Sequence, residues 1–275
     1  MKNIKKLPLI LSILSMLTLF ISANAEIKVV TSIKPIHSLA SYLMDGIGKP
    51  GLIVDGYASP HSFSMKPSHA KMLQNADIVF WVGEGMENFL KKPLSSIAKK
   101  AEKIELMEVK GLNILKFRER NIFEEHNHDD HDDHAKKEDA HDDHDHDDHA
   151  KKEDDHEGHA HGEYDSHIWL DPMNAKVILN EMAEHLIEND AENASKYKNN
   201  LKKALKEIDT LTIQVMTELN KSVSSIVFHD AYQYFEQRFN VNILGAFTVN
   251  PDVMPGAEQL AEIREIIEHD KVACV

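Results

Sequence analysis

The sequence predicts an α/β fold made of two βα lobes with mostly parallel sheets, braced by a long linking helix. Two observations carry that expectation. Short β-branched runs alternate with amphipathic stretches in two separate blocks, the pattern of βα units. Between the blocks lie two long helical stretches, the second with Leu201, Leu205, Ile208, Leu211, Val215 and Leu219 three or four apart and Lys and Glu opposite.

In block one the strand candidates are Ile27 to Ile33, Leu52 to Val54, Ile78 to Val82 and Ile104 to Met107. The helices fall near Ile36 to Met44, Ser68 to Asn75 and Met86 to Lys100, with Gly46, Gly48, Gly51 and Gly83 as punctuation. Block two offers strands at Ser225 to Phe228, Asn242 to Gly245 and Val272 to Val275, and helices at Ala231 to Phe239 and Ala257 to His269.

The first residues form a basic stretch, Met1 to Lys6, then an apolar run from Leu7 to Ile21, then Ala23-Asn24-Ala25. These are the parts of a secretory signal, with cleavage expected after Ala25. A membrane anchor is the alternative, but the run is shorter than the roughly 20 apolar residues a spanning helix needs. No Cys stands near the cleavage site to carry a lipid, so a soluble periplasmic protein is expected.

The net charge of −15 argues against nucleic acid or an anionic membrane as partner. Its location says more: from Glu124 to Asp165 nineteen acidic residues face four lysines, which accounts for the whole net charge. The same segment holds eleven of the 18 histidines and contains His-Asp-Asp-His-Ala-Lys-Lys-Glu-Asp twice, from His131 and from His146. With almost no apolar side chains to offset its ordering entropy, it is expected to be a disordered insertion. The expected boundaries are 1–25 for the signal, 26–121 for the first lobe and 122–164 for the His/Asp-rich loop. Residues 165–221 form the end of the first lobe with the linking helices, and 222–275 the second lobe.

Cys274 is the only cysteine, so any zinc site must use His and carboxylates. Of the seven histidines outside the loop, His69, His185 and His269 suit surface roles, and His37, after Pro35 at a helix start, suits packing. His61, His167 and His229 stand where a strand or extended run passes into a loop or helix, the place where ligand sites collect in α/β folds. Each taken singly is more often structural. Together with the His-rich loop they point to a metal, and three imidazoles plus a carboxylate or water suit Zn2+. A hydrolytic role lacks its signatures: there is no His-Glu-x-x-His helix, Gly-x-Ser-x-Gly elbow or phosphate loop.

Four stretches resemble the ZnuA-type zinc-binding proteins of ABC importers: Pro60 to Ser68, His167-Ile168-Trp169-Leu170-Asp171-Pro172, Phe228 to Tyr232, and Thr248 to Pro251 continuing through Pro255-Gly256-Ala257. The resemblance runs from about Ile27 to the end, the loop excepted. It implies zinc capture in the periplasm without catalysis and delivery to an ABC permease in the inner membrane, by a protein expected to act as a monomer. It also implies that His61, His167 and His229 are the zinc ligands in a cleft between lobes, and that zinc is cargo, not a catalytic cofactor. Some relatives carry an acid before the first ligand. Here that residue is Pro60, so water would complete the shell. Relatives continue past Val275, which implies an incomplete second lobe, and the cysteine partner they offer to Cys274 is absent, which implies a free, buried thiol. A periplasmic zinc buffer, in which the loop does most of the binding, and a zinc hydrolase are the competing readings. Imidazoles must be neutral to bind zinc, so affinity should fall from neutral pH toward pH 5.

Overall fold

The computed structural model describes residues 26–118, 120–123, 163–249, 251, 253–269 and 272–275. The expected export signal and most of the His/Asp-rich loop lie outside the described residues.

The first sheet has four parallel strands in the order β2-β1-β3-β4, with β1 Val29–Thr31, β2 Gly51–Leu52, β3 Ile78–Trp81 and β4 Glu102–Glu105. Helices α1 (Lys34–Leu43) and α2 (Pro67–Gln74) form the crossovers, each opened by a proline in its first turn, where the missing N–H costs nothing. Because both faces of a parallel sheet must be covered, β1 and β3 are apolar and buried throughout except for Thr31, which is buried with its hydroxyl on Gly51 O. Their core continues into α4 (Pro172–Asn189) and α5 (Ala194–Glu218).

The second sheet pairs β5 (Ser224–His229) with β6 (Asn242–Thr248) in parallel, α6 (Gln233–Phe239) crossing between them and α7 (Ala257–His269) packed on one face. Its core is small: Ile226, Leu244, Ile263 and Ile266. Asn240 ends α6 in the left-handed conformation that Asn tolerates after a helix. The chain just before the acidic loop joins this sheet, since Ile122 bridges Gly245 and Phe123 N–H donates to Leu244 O at 2.9 Å. Gly245 is needed there because a Cβ would stand 2.6 Å from Asn121 O.

Several sequence-based expectations are corrected. The helix expected over Met86 to Lys100 is a short turn, Asn88–Leu90, followed by the six-residue α3 (Lys91–Ser96). Helix cannot start earlier because Glu87 turns inward, accepting from Val82 N–H, Gly83 N–H and the Ser32 hydroxyl. Strand β4 starts two residues before the expected Ile104 and gives way to a turn at Leu106–Glu108. Among the described residues, the strand expected over Val272 to Val275 is reduced to a single bridge from Cys274 to Ser225. Cys274 is exposed, not buried: among the described residues its segment bonds through the backbone to Ser224 and Ile226, and its side chain is left uncovered. Among the linking-helix stripe, Leu201, Leu205 and Ile208 pack on the first core, whereas Leu211 is 55% exposed and Thr212 is buried in its place. His69 is buried rather than superficial: it stacks on Phe63, and its Nδ1 accepts from Lys66 N–H at the start of α2.

Burial pushes the Glu87 carboxyl up to about 7, against the pull of its Ser32 and backbone hydrogen bonds. A folded-state value above the unfolded one, near 4.5, gives stability that is full below pH 4.5 and is lost as pH rises through 7. The loss amounts to about 3 kcal/mol. Urea midpoints of the native chain and Glu87→Gln should therefore diverge between pH 4.5 and 8, the native chain losing stability relative to the variant. Parallel curves would refute it.

Candidate metal centre

The carboxyl ends of the strands in both sheets face one cleft. β1 leads to Ile33 and Lys34 and β3 to Met86, and these residues line a cavity of about 380 Å3 with Pro60, His61, His167, Trp169, His229 and Pro251. This is where an α/β sheet presents its loops to ligands. A shallower groove of about 630 Å3 between α2 and α3 is lined by Lys71, Gln74 and Lys99 and holds no carboxylate or imidazole.

His61 sits in the long connection from β2 to α2, its backbone N–H donating to Ser59 Oγ at 3.2 Å. His229 is the last residue of β5, held in register by pairing with Thr248 of β6. His167 precedes the turn Ile168–Leu170 that leads into α4, and is 5% exposed. Ring centroids are 5.8 Å apart for His61 and His167, 5.3 Å for His61 and His229, and 5.1 Å for His167 and His229. One nitrogen from each lies within 4.8 Å of the other two, the only such group of metal-capable side chains among the described residues. Nitrogens bound tetrahedrally at 2.0–2.1 Å stand roughly 3.3 Å apart, so side-chain rotation closes the gap.

The other sequence-predicted histidines stay apart from the group. His37 Nε2 is 3.1 Å from Pro50 O. His185 lies between Glu102 and Glu181, with its ring nitrogens 2.9 and 3.2 Å from their carboxylates, and His269 occupies the last turn of α7.

Acidic side chains that sequence reasoning did not single out surround the three imidazoles. Asp165 Oδ1 lies 2.7 Å from His167 Nδ1. Asp230 follows His229 and is 2% exposed; burial pushes its carboxyl up to about 6, with the Arg118 guanidinium pulling the other way. Arg118 also holds Glu236 through two bonds of 3.1 and 2.6 Å and stacks 3.8 Å from the Phe123 ring centroid. Asp165, Asp230 and Glu236 against one Arg leave a field that favours a cation. Only adjacency in sequence, two residues before His167 and one after His229, could have pointed to the aspartates. Arg118 gave no signal at all.

Helix α6 ties the second sheet to the first lobe. Tyr234 Oη donates to Asp165 O at 2.7 Å, Gln233 Nε2 donates to Lys116 O at 2.9 Å, and Arg238 grips Asp171 with two bonds of 2.7 Å. The position of His229 relative to His167 is set by these contacts.

With this geometry in view, the similarities to known proteins fall into one group. The family model described as zinc-uptake complex component A, periplasmic (ZnuA), matches residues 29–275. The high-affinity zinc uptake system protein ZnuA of Brucella abortus is 46% identical over 250 residues, spanning 90% of this chain and 75% of that protein. Its Yersinia pestis namesake is 35% identical over 256 residues, spanning 91% and 75%. Among solved structures, Streptococcus pneumoniae AdcAII shares the fold with a TM-score of 0.65 at 21% identity, covering 90% of this chain and 78% of that one. The Zn(II)-bound ZnuA-like domain of AdcA from the same species gives 0.62 at 18% identity, covering 90% and 77%.

Proposed function

The chain belongs to the ZnuA family of periplasmic zinc-uptake components, and on that premise we propose that His61, His167 and His229 are the side chains that hold the zinc ion. The protein captures Zn2+ for an ABC-type importer; zinc is its cargo. The observation that carries the ligand assignment is the convergence of three imidazole nitrogens within 4.8 Å in the cleft between the sheets. A d10 ion with no ligand-field preference accepts that donor set, with water in the fourth position.

The proposal extends to delivery. The protein acts as a monomer, docks on a permease in the inner membrane and performs no chemistry on the ion beyond exchange of its ligands. The segment 1–25 serves as an export signal cleaved after Ala25, and residues 26–121 and 222–275 are the two lobes around the cleft. The His/Asp-rich segment 122–164 gathers zinc at many weak sites beside the tight one. Among the described residues no helix is long and apolar enough to cross a membrane.

Zinc competition with a chromophoric chelator, on the chain from Glu26 with residues 124–162 removed, separates capture from buffering. One tight site is expected to survive the deletion while the weak stoichiometric excess disappears. Loss of the tight site would mean that the segment itself does the binding.

A further inference from the structure

We propose that Asp165 is a positioning residue for zinc capture, its carboxylate selecting the Nδ1–H tautomer and ring plane of His167 so that Nε2 is presented as the lone pair. This deepens the ligand assignment above and rests on it.

The geometry is specific. Asp165 Oδ1 accepts the backbone N–H of His167 at 2.9 Å and lies 2.7 Å from its Nδ1, so one oxygen fixes both the backbone and the ring of the same residue. With Nδ1 committed to the carboxylate, Nε2 is the nitrogen left to meet the donors of His61 and His229. Asp165, Ser166 and His167 are 1%, 3% and 5% exposed, so water does not compete for Nδ1.

The Asp165 backbone is held on both sides. Asp165 N–H donates to Leu115 O at 2.8 Å, and its carbonyl accepts from Tyr234 Oη, whose oxygen in turn accepts from Leu115 N–H at 3.1 Å. Tyr234 is 1% exposed and belongs to α6, the helix whose preceding strand carries His229. The network therefore sets His167 and His229 relative to one another before any ion arrives.

Asp165 is not itself a member of the group whose donor atoms lie within 4.8 Å of one another. Its effect passes through the imidazole. A neutral imidazole in water carries its proton on either nitrogen, and only the Nδ1–H form offers Nε2 to a metal. The carboxylate removes the competing form, restrains ring rotation, and makes Nε2 a better donor by stabilising the positive charge that builds on the ring when zinc binds. Loss of such a partner costs 10- to 100-fold in metal affinity at other sites.

The experiment uses the full chain, native and as Asp165→Asn, Asp165→Ala and His167→Ala. Zinc affinity is read by chelator competition, and the His167 tautomer is read in the zinc-free protein from imidazole 15N shifts. The native chain should show His167 as Nδ1–H. Asp165→Asn, whose amide oxygen still accepts both donors, should keep that tautomer and lose about 10-fold in affinity; Asp165→Ala should shift the proton toward Nε2 and lose about 100-fold. If the alanine variant does not fold, the native chain decides: His167 protonated on Nε2 in the zinc-free protein overturns the proposal. So does an affinity loss in Asp165→Ala with the tautomer unchanged, which would mark a merely structural role. An unchanged affinity in His167→Ala overturns the ligand assignment and this inference together, whereas loss there with unchanged affinity in Asp165→Ala overturns this inference alone.

Discussion

Single alanine substitution of His61, His167 or His229 is expected to weaken zinc binding by at least about 100-fold. Four-coordinate zinc binds with roughly 10–16 kcal/mol in small folded sites, so one ligand carries about 3 kcal/mol, or two orders of magnitude. The three should not be equal in their side effects. His61 is half-buried on a connection outside helix and sheet, and His61→Ala should leave the zinc-free melting temperature unchanged. His167 is buried against Asp165, and its removal leaves that buried carboxylate with the backbone N–H of residue 167 as its described partner, so His167→Ala should also lower stability. Chelator competition and zinc-free melting curves measure both. A variant of any of the three whose affinity stays within threefold of the native chain would remove that residue from the site.

The second large effect is structural. Arg238→Ala should destabilise the folded chain by about 3 kcal/mol, because it strips the bidentate partner from Asp171, whose side chain is 1% exposed. The remaining partner described for that carboxylate is Met173 N–H at the start of α4, one donor where there were three. Arg238→Lys keeps the charge but not the fork and should recover only part of the loss. The exposed pair Lys91 and Glu84 gives the contrast. At 2.7 Å it is as short, yet its side chains are 58% and 50% exposed, and Lys91→Ala should change stability by under about 0.5 kcal/mol. Urea unfolding of the two variants tests the difference, and equal effects would mean that burial does not govern these ion pairs. Arg238 also joins α6 to the first lobe, so its loss should loosen the spacing of His229 from His167 and reduce zinc affinity, though by less than removal of a ligand.

Much of the architecture was legible because local rules suffice for it. Pro35 marked the helix start of α1, the β-branched run at Ile78 announced β3, and the apolar spacing from Leu201 announced α5. The misreadings share a cause: each depended on a partner far away in the chain. Glu87 looks like a helix residue until Ser32 and the end of β3 claim its carboxylate. Residues 122 and 123 read as the start of a polar loop, but Gly245 leaves room for them to add to β6. Leu211 fits an apolar stripe, yet the core it would extend stops one turn earlier.

The three histidines follow the same division. Their identity as candidates was settled by the sequence, through their places after extended runs, the stretches around them and the His-rich segment nearby. Ligand type is a property of side-chain chemistry, and side chains can be read from letters. Their common cleft, the acidic shell of Asp165, Asp230 and Glu236, and the grip of α6 on the first lobe were decided by tertiary structure alone. Distances between groups so far apart in the chain depend on how two sheets pack, and no short-range pattern encodes that packing.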